Sequence, residues 1–290
     1  MKRRIVSVSE MAIFFCSASF LNPAAAQDQS HIGIVDSPCP PPSPSVEAQI
    51  HRLTERQLVP NQKLSTHDLD ELIKDPKIQE LLKRQVDQRQ RDWPNLCRYK
   101  AANAALKSSE TQVVFMGDSI TDNWIVADPA FFTGGRIGRG IGGQTSAQMV
   151  LRFYSDVIAL HPRIVHLEAG ANDLGGATGP ITLQDYKNNI LTMLDLAQAH
   201  HIKVVLSAIL PTRLLYGVNV DPRPLIREIN PWLQEVSKQR GLVFVDYGPV
   251  LADPEGGMQD ALSNDGVHPT RVGYAKMKPL AERALADALK

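Results

Sequence analysis

Cysteine is scarce in this chain: Cys16, Cys39 and Cys97 are the only three in 290 residues. None belongs to a C-x-x-C pair or to a cysteine–histidine cluster, so nothing in the spacing suggests a metal site. Charge of one sign is lacking too. With 31 basic residues against 31 acidic ones, there is no net field to gather nucleic acid or an anionic membrane. No apolar run reaches the ~20 residues that a membrane-spanning helix requires, which argues against stable membrane insertion. No internal repeat is visible, and nothing in the sequence speaks to oligomeric state.

What is present begins with a processing segment. Lys2, Arg3 and Arg4 make a basic start, Met11 to Leu21 is mostly apolar, and Ala24-Ala25-Ala26 offers small residues for cleavage. This is the layout of a secretory signal peptide over residues 1–26, leaving a mature chain that starts near Gln27 in the periplasm or outside the cell. Arg3-Arg4 lacks the apolar neighbours of the twin-arginine route, which points to general export. The segment carries Cys16 away. Cys39 and Cys97 then meet an oxidising compartment, where they either pair as a disulfide or stay as two thiols.

Residues 27–45 hold the run Ser37-Pro38-Cys39-Pro40-Pro41-Pro42-Ser43-Pro44, which reads as an extended linker because proline donates no backbone hydrogen bond. Over residues 46–108 the apolar residues recur at helical spacing. Val46, Ile50 and Leu53 share one face, as do Leu69, Leu72 and Ile73, then Ile78, Leu81, Leu82 and Val86. Ser65 with Asp68 resembles a helix-start box, and Asp75-Pro76 a cap followed by a first-turn proline. About three short helices are expected, with one more from Asn95 to Leu106, and no chemistry.

From residue 109 to 290 short apolar runs alternate with helical patterns. The runs are Val113 to Met116, a weak one at Ile137, Ile164 to Leu167, Val204 to Leu206, and Leu242 to Val245. The helices are Ser146 to Leu160, Leu183 to Ala199, Leu225 to Arg240, and Thr270 to Leu289. Such alternation predicts an α/β domain with a parallel sheet covered on both faces.

Four loops in this region carry candidate chemistry. Gly117-Asp118-Ser119 ends the first strand run and places a hydroxyl at a helix N-terminus, where ligands of open α/β sheets bind. Ser119 is the candidate nucleophile, although Asp118 and Ser119 equally suit a plain helix cap. The glycines of Gly138 to Gly143 fit G-x-G-x-x-G, but the strand before them is weak and Asp156 falls inside a helix pattern, which disfavours dinucleotide binding. A glycine cluster also bares N–H groups for an oxyanion. Asn172, in Gly170-Ala171-Asn172-Asp173, can turn its amide toward Ser119 or close an Asx turn on its own backbone. Asp265 and His268 share one loop and suit the base and its orienting carboxylate.

Taken in order, the four blocks resemble the GDSL or SGNH hydrolase family of GDSL-like lipases, acylhydrolases and esterases, over about residues 110–290. The one departure is Ile120 where the family's name has leucine. The resemblance implies a three-layer α/β/α sandwich, flavodoxin-like, with about five parallel strands, and an N-terminal helical extension beside it. It also implies serine esterase chemistry with no cofactor and no metal: Ser119, Asp265 and His268 as the triad, and an oxyanion hole of Ser119, Gly143 and Asn172. Trp124, Phe131, Phe132, Leu174, Leu214, Leu215 and Tyr216 are the expected substrate walls. Connections are short and no lid-like insertion is present, so the expected substrate is a small-molecule or carbohydrate ester with an acetyl to butyryl group. A lysophospholipid or other lipid ester is the alternative, and a non-catalytic binding module on the same fold a more distant one.

Overall fold

The computed structural model describes residues 38–41, 43–62, 74–106, 111–213, 215 and 221–290. The chain divides into Met1–Cys39, of which only Pro38 and Cys39 are described, and Pro40–Lys290, to which the fold and site described below belong. The signal segment, the Ser65–Asp68 box and the Leu69, Leu72 and Ile73 face lie outside the described residues.

Five parallel strands make one sheet: β1 (Val113–Gly117), β2 (Arg136–Gly140), β3 (Ile164–Leu167), β4 (Lys203–Ser207) and β5 (Val243–Val245). Their order is β2-β1-β3-β4-β5, so β1 and β3 are flanked on both sides. Both are buried at every position, which is why they read as short, mainly apolar runs, with His166 the one polar residue in β3. The helices among the described residues are α1 (Pro44–Leu58), α2 (Pro76–Arg91), α3 (Cys97–Ala105), α4 (Ser119–Ala127), α5 (Ser146–Asp156), α6 (Ala171–Leu174), α7 (Leu183–Ala199), α8 (Arg223–Arg240), α9 (Gly248–Leu251) and α10 (Arg271–Ala288).

Strand alternation sorts the core into two layers. Val114, Met116, Val165 and Leu206 face Met149 and Phe153 of α5, Ile190 and Met193 of α7, and Leu233 of α8. Val113, Phe115, Ile164 and Val205 face Ile120 and Trp124 of α4, Tyr274 and Met277 of α10, and Leu58 of α1. The expected α/β/α sandwich is therefore formed.

Local departures have local causes. The helix expected to run from Ser146 to Leu160 ends at Asp156; a 3-10 turn, Ile158–Leu160, follows and closes on His161 at φ 50°. His161 precedes Pro162, and the residue before proline disfavours the helical region. β2 was weak in sequence because it is an edge strand that needs glycine. A side chain at Gly138 would come within 2.3 Å of Ile125, and one at Gly140 within 2.2 Å of the Asp122 nitrogen, so α4 packs on the strand backbone itself. In the N-terminal segment α1 opens at Pro44, with proline in its first turn, and Asp75 caps α2 by accepting the Lys77 N–H at 2.8 Å. Ile78 and Leu81 of α2 are buried, whereas Leu82 and Val86 are exposed.

Candidate active site

β1 delivers Ser119 to the first position of α4. Gly117 makes the turn possible, since a side chain there would stand 2.1 Å from the Thr121 hydroxyl. Asp118 caps the helix, its Oδ1 accepting the Ile120 N–H at 2.9 Å while Oδ2 accepts the Asn172 amide at 2.9 Å. It is fully buried, as is Glu168 at the end of β3. Burial raises both carboxyls, and the charge of Asp118 raises Glu168 further.

The loop before α10 supplies the second half. His268 Nε2 lies 2.8 Å from Ser119 Oγ, and His268 Nδ1 lies 2.8 Å from Asp265 Oδ2. Asp265 Oδ1 accepts the N–H groups of Val267 at 2.9 Å and His268 at 2.8 Å, so the carboxylate is fixed by its own loop. Thr212 donates its hydroxyl to the Gly266 carbonyl at 2.9 Å, which ties that loop to the end of β4. Burial disfavours the imidazolium of His268, but the hydrogen bond and charge of Asp265, aided by Asp118, outweigh it and raise the pKa. For Asp265 burial is likewise overcome, by His268 and the two backbone donors, and the carboxyl titrates well below the usual range.

Opposite stand the glycine block and Asn172. Gly143 adopts φ 77°, and a methyl on Gly142 would sit 3.8 Å from Ser119 Cβ, so this backbone passes beside Ser119. Among the described residues no group accepts from the Ser119 or Gly143 N–H. Gly170, at φ 135°, turns the chain where any side chain would strike Ile209 at 2.5 Å. Asp173 then links the two blocks: its Oδ2 accepts the Ser146 N–H at 2.9 Å and its Oδ1 the Ser146 hydroxyl at 2.5 Å, capping α5 directly after the glycines. Burial raises the Asp173 carboxyl to about 6, against the lowering effect of the Ser146 bonds.

Arg152 is a supporting residue that the sequence reading passed over. Fully buried on α5, it donates to the Gly117 carbonyl at 2.9 Å, the Arg139 carbonyl at 2.8 Å and Asp156 at 3.0 Å, and also to Gln144. One guanidinium thereby joins the end of β1, the end of β2 and the glycine block. The signal was an Arg–Asp pair at i, i+4 on the same face as Met149 and Phe153.

The expected walls fare differently. Trp124 is 1% exposed, stacked on Phe131 at 5.2 Å and on Tyr274 at 5.5 Å, so it is a core residue and not a substrate contact. It lies one helical turn after Ile120, on the face α4 turns to the sheet. Phe131 is buried with it, and Leu174 packs partly buried on the other core layer. Tyr216 and Leu214 lie outside the described residues. Cys39 and Cys97 are each disulfide-bonded. No group of three or more histidine, cysteine or acidic side chains among the described residues could hold a metal, and no described helix is long and apolar enough to cross a membrane.

Residues 115–276 match the GDSL-like lipase/acylhydrolase family. Among solved structures the chain is similar to a Bacteroides fragilis protein assigned as an acylhydrolase, with 40% identity, a TM-score of 0.65, and coverage of 69% of this chain and 99% of the other. A GDSL-like lipase of Bacteroides thetaiotaomicron gives 38% identity, a TM-score of 0.65, and coverage of 68% and 100%. A G-D-S-L family protein of Desulfitobacterium hafniense gives 27% identity, a TM-score of 0.51, and coverage of 60% and 99%. No curated protein matches the sequence.

Proposed function

The chain belongs to the GDSL-like lipase/acylhydrolase family of ester-hydrolysing enzymes, and on that footing we propose that it is an exported serine esterase acting on short acyl esters of a carbohydrate or other polar alcohol. The observation that carries the mechanism is the run Ser119–His268–Asp265, with 2.8 Å at each link. His268 takes the Ser119 proton as Oγ attacks the ester carbonyl. The resulting oxyanion is met by the N–H groups of Ser119 and Gly143 and by the amide hydrogen of Asn172 that Asp118 does not use. His268 then protonates the leaving alcohol. Water, deprotonated by the same imidazole, attacks the acyl-Ser119 ester and frees the carboxylic acid and the enzyme. Asp265 keeps Nδ1 protonated, so that Nε2 stays the basic nitrogen throughout.

Two features favour a short acyl group on a polar alcohol. The aromatic side chains that a lipid groove would draw on, Trp124 and Phe131, are spent in the core. The group beside Gly143 is a guanidinium, since a methyl there would meet Arg89 Nη2 at 3.2 Å. Export is inferred from the basic, apolar and small-residue pattern of residues 1–26.

The test is hydrolysis of a p-nitrophenyl ester series by the mature protein. The reading expects kcat/KM to peak between acetyl and butyryl; a peak at dodecanoyl or longer replaces it with a lipid ester substrate. Mass analysis of the exported protein should find a start near Gln27.

A further inference from the structure

The helices before β1 lie outside the family match at 115–276, yet α1 reaches the reacting groups. Gln57, near its C-terminal end, is the point of contact. Its Oε1 accepts the Asn123 side-chain N–H at 3.0 Å, and its Nε2 faces Asp265 Oδ2 at 3.5 Å. Asn123 is buried on α4, four residues after Ser119, and Asp265 Oδ2 is the oxygen that takes His268 Nδ1. One side chain thus spans the helix that carries the nucleophile and the loop that carries the base.

The backbone around Gln57 is held to the same loop. Asn264 donates to the Gln57 carbonyl at 2.9 Å and to the Val59 carbonyl at 2.8 Å, and accepts the Gln62 N–H at 2.9 Å. Glu55 binds Arg271, at the start of α10, at 2.7 and 2.9 Å. Leu58 is fully buried in the core layer beneath. These contacts leave Gln57 little freedom, and with Oε1 engaged by Asn123 its amide N–H end must face Asp265. A carbonyl turned the other way would oppose a carboxylate across a part-buried gap.

We propose that Gln57 is a positioning residue for the Ser119–His268–Asp265 relay, making the segment before the hydrolase domain a working part of the active site; this rests on the serine esterase reading above. Gln57 acts on Asp265, not on substrate. Its neutral donor supports the carboxylate without adding charge, and its link to Asn123 fixes the distance between loop and nucleophile. The charged groups facing this point are Asp265 and His268 from the loop, Asp118 behind Ser119, and the Glu55–Arg271 pair.

The test uses the full mature protein with Gln57→Ala, Gln57→Glu and, as a packing control, Leu58→Ala. Readouts are kcat and KM for p-nitrophenyl acetate across the acid limb of the pH profile, thermal unfolding, and fluorophosphonate labelling of Ser119. Gln57→Ala should lower kcat about tenfold with KM changed less than about twofold, the pattern of lost pre-organisation. Gln57→Glu should move the acid limb upward by roughly half a pH unit or more, because a second carboxylate favours the imidazolium. Leu58→Ala should lower the unfolding temperature and leave the limb in place. If wild type is labelled but both Gln57 variants keep its kcat and acid limb, the inference is overturned alone. It is also overturned if they lose only stability, as Leu58→Ala does. If wild type takes no label, it falls together with the esterase reading.

Discussion

Arg152→Met is the substitution whose cost can be worked most directly from this structure. Arg152 and Asp156 are 0% and 1% exposed and 3.0 Å apart. Removing the guanidinium leaves a carboxylate with one amide donor, Asn103 at 2.7 Å, and strips a partner from the carbonyls of Gly117 and Arg139. Breaking one side of a buried pair costs about 3–5 kcal/mol, a large share of the ~5–15 kcal/mol that stabilises a typical fold. At about 2–4 °C per kcal/mol for a domain of this size, the unfolding temperature should fall by roughly 6–20 °C. Adding Asp156→Asn removes the stranded charge and should return at least ~1 kcal/mol, while the loss of one donor at each carbonyl, ~0.5–1.5 kcal/mol per hydrogen bond, remains, since Gly117 still accepts the Ile141 N–H at 3.1 Å. Urea unfolding of wild type, both single variants and the double variant measures this as a coupling energy. A single-variant loss under ~1 kcal/mol, or strict additivity, would falsify the assignment of Arg152 as the tie between β1, β2 and the glycine block.

The remaining predictions concern the reaction and the mature chain. Ser119→Ala and His268→Ala should each abolish ester turnover at unchanged circular dichroism, with Asp265→Ala milder; substantial turnover by either of the first two removes the triad assignment. Asn172→Ala should lower kcat by roughly 10²–10³ with KM little changed, whereas an effect mainly on KM would make Asn172 a ground-state contact. Activity needs neutral His268, so the acid limb should lie above the ordinary histidine value of about 6.5, because Asp265 and Asp118 raise it. Asp265→Asn should bring that limb below the ordinary value, since burial then acts with only Asp118 against it; an unmoved limb would show that another group titrates. The same pair stabilises the fold at pH values below about 6.5 and above about 3.9. That contribution fades as pH rises through the raised His268 pKa, or falls through the depressed Asp265 pKa. Thiol titration of the denatured, unreduced mature protein should find Cys39 and Cys97 both blocked, and two free thiols would rule the bond out.

How much of this was legible follows from where each residue sits. β1 and β3 announced themselves because a strand buried on both faces is mainly apolar, and the four loops could be read because each needs a distinctive residue at a strand end. β2 was nearly illegible: its Gly138 and Gly140 exist to let α4 approach, a constraint set by a neighbouring helix and invisible in the strand's own composition. Trp124 reads as a wall because it is an aromatic that follows the candidate serine, whereas its i, i+4 spacing from Ile120 places it on the core face. Gln57 could not be found at all. Nothing local distinguishes a glutamine on a polar helix, and its meaning comes from Asn123 and Asp265, which are 66 and 208 residues away in sequence.

The four blocks also prove to be one electrostatic unit. Asp118 sits in full burial, where a bare carboxylate is unfavourable, yet it accepts the Ile120 N–H and the Asn172 amide. These donors hold its charge in place. That charge does three things at once: it caps α4 and so fixes Ser119, it orients the amide of Asn172, and it helps to raise the basicity of His268. Burial and the neighbouring charge of Asp118 push the Glu168 carboxyl well above its ordinary value, which favours its neutral form beside Asp118. A change at Glu168, which touches neither Ser119 nor the base, should disturb Asp118 first and reach the oxyanion donor through it. Glu168→Gln places a neutral amide beside Asp118 and should be the mild replacement, while Glu168→Ala opens a gap there. If the two variants hydrolyse p-nitrophenyl acetate with equal kcat, the group at position 168 has no part in holding Asn172.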